Sequence, residues 1–243
     1  MPLLEVCCAD LRSAQAAADG GAQRIELCRD LHLDGLTPSD DMIRQARQIA
    51  GLRLHILIRP REGDFVYTEA EAQLMVQQIQ QARRLGADGV VIGALTPQGD
   101  IDLPLCRRLI EAATAPLLTD SGPGRPAAPA APVAITFHRA FDHCRRPLEA
   151  LEHIISLGCH RLLTSGQCVT AEAGIPLLRQ LVSQAAGRII IMPGAGVSAQ
   201  NARHILDATG ATEIHGSLRL PDPLSGIKFT EPSLVRQLLD SLS

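Results

Sequence analysis

Short apolar runs of about five residues alternate along this chain with longer stretches whose apolar positions recur at helical spacing. The short runs predict strands near 3–7, 24–28, 53–59, 89–93, 133–138, 160–164, 188–192 and 212–216. The long stretches predict helices near 10–19, 39–50, 69–85, 102–113, 146–157, 172–186, 199–208 and 232–242. Thr68-Glu69-Ala70-Glu71 reads as a capping box. Thr37-Pro38, Asp142 and Ser198 offer side chains or ring geometry suited to helix starts. Gly20, Gly51, Gly86, Gly158, Gly187 and Gly210 fall where helices should stop. Leu74, Ile79, Ala82 and Leu85 give the third helix an apolar face.

Eight strand–helix alternations in one chain of 243 residues point to an α/β protein with a parallel sheet. Eight is also the number that closes a TIM-like (β/α)8 barrel, and the length suits one such domain over 1–243. A doubly wound open sheet has the same alternation. The strands here are short and interrupted by polar residues, which suits a barrel interior layered with side chains. Residues 120–132 break the rhythm with a Pro/Ala-rich run, expected to be a surface insertion between two barrel units.

Composition narrows the function classes. The formal charge is −3, Trp is absent, and there are one Tyr and four Phe. Neither a basic stripe nor a set of stacking aromatics is present, so nucleic acid is not an expected partner. No apolar run reaches the roughly 18 residues of a membrane span, and the N-terminal residues lack the pattern of an export signal. Seven scattered Cys without framework spacing suggest free thiols and a cytoplasmic location.

The strand ends carry the chemistry. Glu5-x-Cys7 and Glu26-x-Cys28 repeat on consecutive strands, and residues two apart share a strand face. Two inward thiols at one height could hold a soft ion such as Cu(I); thiols also pack as small buried hydrophobes. Cys8 should face the helices. Phe137-His138-Arg139-Ala140-Phe141-Asp142 places a proton carrier, a cation and a carboxylate at one strand mouth. The same residues could instead form a hydrogen-bond network that closes the barrel top. Candidates for acid–base work are Glu5, Glu26, His55, His138, Arg139 and Asp142. Arg59, Gly194, Gly196 and Ser217 sit where a barrel would hold an anion, although Arg59 could equally pair with Glu5 or Glu26. His32, His143, His153, His160 and His204 read as surface residues.

In these stretches the chain closely resembles the CutC family. The matching segments are Leu4-Glu5-Val6-Cys7, Arg24-Ile25-Glu26-Leu27-Cys28, Gly35-Leu36-Thr37-Pro38-Ser39, Ile58-Arg59-Pro60-Arg61, Gly63-Asp64-Phe65-Val66-Tyr67, Thr136 through Asp142, Leu163-Thr164-Ser165-Gly166 and Gly194-Ala195-Gly196. The resemblance implies a TIM-like barrel, a cytoplasmic copper homeostasis role with Cu(I) on Cys7 and Cys28, and a homo-oligomer with a dimer favoured. The ring of Glu, His and Arg residues admits a second reading, an enzyme acting on a small anionic or phosphorylated metabolite.

Overall fold

A computed structural model of the protein describes residues 2–116 and 133–242. The 120–132 insertion therefore lies outside the described residues. Eight parallel strands form the wall: β1 (Leu3–Cys8), β2 (Arg24–Leu27), β3 (Arg53–Leu57), β4 (Gly89–Ile92), β5 (Ala134–Phe137), β6 (Arg161–Thr164), β7 (Ile190–Pro193) and β8 (Glu213–Gly216). Hydrogen bonding gives the order β7-β6-β5-β4-β3-β2-β1-β8, so the sheet curls into a nearly closed (β/α)8 barrel.

The helices are α1 (Leu11–Asp19), α2 (Asp40–Ala46), α3 (Glu69–Arg84), α4 (Leu103–Thr114), α5 (Pro147–Ser156), α6 (Ile175–Ala185), α7 (Ala202–Thr209) and α8 (Pro232–Ser241). Their starts show which capping expectations hold. Thr68 and Glu71 close a reciprocal capping box on α3. Ser39 rather than Thr37 caps α2; the Thr37 hydroxyl instead accepts from the Arg59 amide at 2.8 Å. Asp142 does not cap α5, because its oxygens are occupied by the loop after β6. Asn201 takes the start of α7 in place of Ser198. At the end of α1 the left-handed residue is Gly21, not Gly20. Gly20 is needed for space, since a Cβ there would lie 2.5 Å from Val235 Cβ. On α3 the buried face is Ala72, Met75, Ile79 and Ala82, while Leu74 is exposed.

Strand alternation splits the apolar residues into two cores. Leu4, Val6 and Cys8 of β1 face outward and join Ile25, Leu27, Leu54 and Ile56 in the large layer between wall and helices. Cys8 thus packs as expected. Facing inward, Cys7, Cys28, Leu57 and Val91 make a small separate cluster. Leu163 and Met192 also face inward, among the polar residues that make up much of the interior.

One element escaped the sequence pattern. After β8 the chain forms a hairpin of β9 (Arg219–Pro221) and β10 (Lys228–Thr230) before α8. Short strands with a Pro and an exposed tip carry too little alternation to register. The hairpin is fastened by Thr230 Oγ1 donating to Ser217 O at 3.0 Å and by Arg12 over the Phe229 ring.

Candidate functional site at the barrel mouth

The inward residues stack in levels. The lowest holds an ion network. Arg24 is fully buried and donates through Nε to Glu5 Oε2 at 2.6 Å and through Nη2 to Glu213. Arg161 also holds Glu213, at 2.8 Å. His55 Nδ1 stands 3.4 Å from Glu5 Oε2, and His215 Nδ1 stands 2.9 Å from Glu5 Oε1. Burial opposes ionisation of Glu5, but His215 and Arg24 outweigh it and hold the carboxyl far below its usual range. Burial pushes His55 down to about 4, so the ring is neutral. A Cβ on Gly89 would come within 2.5 Å of the His55 ring, so only glycine at that wall position leaves the ring its place.

Above this network lies a cavity of about 470 Å³ that opens at the C-terminal ends of the strands. At its base, Cys7 and Cys28 Sγ are 3.8 Å apart, and Cys7 Sγ is 3.6 Å from Glu26 Oε1. One donor atom each from Cys7, Glu26 and His215 falls within 4.8 Å of the others. Burial raises Glu26 to about 7, against the pull of His215. Its Oε2 has no partner. The hydrogen bond with Cys28, together with burial, pushes the Cys7 thiol well up. For His215 burial favours the neutral ring, but the neighbouring Cys7 and the Glu5 and Glu26 carboxyls raise its pKa well above the usual value. The soft sulfurs, an imidazole and a carboxylate form a donor set that suits a thiophilic ion better than Mg²⁺ or Ca²⁺.

The upper wall is built from β3, β5 and their loops. Arg59 is 3% exposed. Its guanidinium donates to Leu33 O at 2.7 Å, Gly35 O at 3.2 Å and Gly63 O at 2.8 Å, and it stacks on Phe65 with Cζ 4.9 Å from the ring centroid. It pairs with neither Glu5 nor Glu26; three carbonyls replace the expected carboxylate. The other face of the loop brings Phe65 5.1 Å from the His138 ring. The Ala140 amide donates to His138 Nδ1 at 3.1 Å, so the ring proton sits on Nε2, which has no partner. Burial and the nearby Arg59 charge push His138 down to about 3.

The expected residues thus separate. Cys7, Glu26, Arg59, His138, Arg139, Gly196 and Ser217 line the cavity. Cys28 touches Cys7 from behind. Glu5 and His55 lie beneath the floor in the ion network. Gly194 is one step lower in the wall, where a Cβ would meet Leu163 at 2.6 Å. Asp142 accepts from the Ser165 and Gln167 amides, the Thr164 and Ser165 hydroxyls, and Arg139, so it orders the loop after β6. His215, Phe65 and Arg219, which are not among the candidate site residues expected from the sequence, also line the cavity. His215 had a readable signal: Glu213, His215 and Ser217 alternate on one strand face. His143 is exposed as expected, yet it stands on the cavity rim.

Comparison with known proteins agrees with this architecture. The CutC family model matches residues 2–120 and 125–220. The family protein CutC of Bacteroides thetaiotaomicron is 48% identical over 216 residues, covering 88% of this chain and 80% of that protein. Its counterpart in Vibrio parahaemolyticus is 46% identical over 230 residues, covering 95% and 83%. The crystal structure of CutC from Streptococcus agalactiae superposes with a TM-score of 0.78 at 31% identity, covering 89% of this chain and 99% of that one. Phosphoribosylanthranilate isomerase from Thermotoga maritima shares the barrel alone, with a TM-score of 0.59 at 12% identity, covering 99% of this chain and 98% of that one. With a family model spanning most of the chain and relatives near half identity, the protein belongs to the CutC family.

Proposed function

We propose that the protein binds Cu(I) at the base of the barrel mouth and serves copper homeostasis in the cytoplasm, as a homo-oligomer with a dimer favoured. The observation that carries this reading is the pair of sulfurs, Cys7 and Cys28 Sγ, 3.8 Å apart at the foot of an open cavity. Metal–sulfur bonds are about 2.3 Å for zinc. With bonds of that order, sulfurs at this spacing subtend a bent rather than linear angle, which leaves room for a third donor. Glu26 and His215 stand beside Cys7 for that place. All seven cysteines are free thiols, as a reducing compartment requires. The Streptococcus agalactiae relative bears a copper-homeostasis name. The Cys7 thiol is held protonated by Cys28 and by burial, so loading Cu(I) releases protons and tightens as pH rises.

The test is a Cu(I) titration against a competing chelator with wild type, Cys7→Ser, Cys28→Ser and the double variant. Each single change should lose nearly as much affinity as both together, because one sulfur alone cannot make the site. Glu26→Gln should lose less. A double variant that binds like wild type sinks the copper reading.

A further inference from the structure

The cavity is far larger than an ion requires. Its 470 Å³ would hold on the order of fifteen waters at liquid density, which is the size class of small-metabolite pockets. Its upper wall carries donors that the protein leaves unused. Arg59 is buried, and no carboxylate pairs with it among the described residues. Three of its five N–H groups are bound to carbonyls, and Nε has no hydrogen-bond partner among the described residues. A buried charge without a counter-charge is costly. The backbone carbonyls satisfy hydrogen bonds there but do not neutralise the guanidinium. His138 presents a second unused donor, Nε2–H, with the tautomer fixed by the Ala140 amide. Phe65 lies against both side chains. From the β8 side, Arg219 enters the lining, and its Nε too is buried and unpartnered. The third arginine of the lining, Arg139, is already paired with Asp142 at 2.8 Å. Glu26 and Asp34 are the carboxyls of the lining, and Glu26 lies down at the sulfurs.

We propose that the upper cavity binds a small organic anion, with its charged group between Arg59 and Arg219 and an acceptor oxygen on His138 Nε2. The ligand class is a short phosphate or carboxylate that carries a carbonyl or hydroxyl oxygen a few bonds from the charge. An acceptor-only anion fits this wall because the unused buried groups at that level, Arg59 Nε, His138 Nε2 and Arg219 Nε, are donors. A cation or a neutral apolar ligand would leave Arg59 without its counter-charge. The copper site occupies the base and uses none of these groups, so the inference stands independently of the copper reading.

The experiment uses the full-length protein freed of metal beforehand, at constant ionic strength in chloride. Inorganic phosphate, 2-phosphoglycolate and pyruvate are titrated by calorimetry. In parallel, nitrogen NMR follows Arg59 Nε and His138 Nε2 in the wild type, since replacing Arg59 would release three loop carbonyls and confound folding with binding. Saturable binding of at least one probe, with both signals shifting along the same isotherm, is the expected result. Arg219→Gln, checked for native circular dichroism, should weaken that probe at least tenfold. Preference for the phosphates or for pyruvate identifies which anionic group the wall takes. Absence of saturable binding by all three overturns the proposal, and so does binding that leaves both signals unmoved. Wild-type affinity in Arg219→Gln removes Arg219 from the site.

Discussion

The lower and upper halves of the barrel interior come from the same strands, often two residues apart, yet they are finished differently. Below, Glu5, Arg24, Arg161, Glu213 and His55 are drawn together, with Arg24 held between two carboxylates. Above, Glu26 Oε2, Arg59 Nε and His138 Nε2 are buried and have no hydrogen-bond partner among the described residues. Both halves are dense in ionisable residues, so density alone does not mark a site. What separates them is completeness of pairing: a closed network holds the wall together, whereas an open one is ready for something from outside. The lower network is not perfect, as Arg24 Nη1 and His55 Nδ1 also lack a hydrogen-bond partner among the described residues, but neither residue lines the cavity.

If this contrast is right, the two halves should respond very differently to loss of one charge. Arg24→Met removes the cation from between Glu5 and Glu213 and leaves both carboxylates short of a buried partner. Breaking a buried ion network in this way costs about 3–5 kcal/mol. In the upper half, Glu26→Gln keeps the shape of a group that burial has already moved toward its neutral form. It should cost within about 1 kcal/mol, less than the loss expected when a buried charge is stranded. Urea unfolding of both variants measures the difference directly. Equal losses would mean that the upper groups are as structural as the lower ones.

The pH dependence of metal-free protein sharpens the same contrast, because representative groups run in opposite directions. His55 has its folded pKa pushed down from 6.5 to about 4. Its contribution is present above 6.5 and is lost as pH falls through 4. Glu26 has its folded pKa raised from 4.5 to about 7. Its contribution is present below 4.5 and is lost as pH rises through 7. Each span corresponds to roughly 3 kcal/mol at about 1.4 kcal/mol per unit. Stability curves from pH 4 to 8 for wild type, His55→Gln and Glu26→Gln isolate the two slopes by subtraction. The His55 difference should rise with pH and the Glu26 difference should fall. Slopes of one sign in both variants would refute the assignment.

Much of the fold was legible because barrel units repeat two local signals, a five-residue apolar run and a helical periodicity, eight times over. Where two long-range contacts decide, legibility ended. That Arg59 would find three carbonyls instead of Glu5 or Glu26 depends on how the 31–36 and 61–66 loops fold back over β3. That Asp142 would order the loop after β6 rather than cap a helix depends on the approach of Ser165 and Gln167 from the neighbouring strand's loop. Strand parity alone brought Cys7 and Cys28 inward, but their common height depends on the stagger that pairs Cys7 with Glu26 and Cys8 with Leu27. Parity also held the clue to His215, which lies between Glu213 and Ser217 on the inward face of β8.

Two glycines offer the finest comparison of the halves. A Cβ on Gly89 would lie 2.5 Å from His55 Cδ2 and 2.6 Å from Nε2, and one on Gly93 would lie 2.5 Å from His138 Cε1 and Nδ1. The local overlaps are alike, but the surroundings are not. His55 is 2% exposed and hemmed in by the ion network, so its ring cannot yield without disturbing Glu5. His138 borders the open cavity, so its ring can swing outward at the loss of the Ala140 hydrogen bond. Overpacking of this kind costs about 1–3 kcal/mol. Gly89→Ala should fall at the upper end and Gly93→Ala at the lower. Thermal unfolding in parallel with nitrogen NMR of the two rings checks both parts: Gly93→Ala should move the His138 signals while leaving those of His55 in place. Equal destabilisation by the two changes would show that the upper wall is as tightly packed as the lower, and that its unpaired donors are not there to admit a guest.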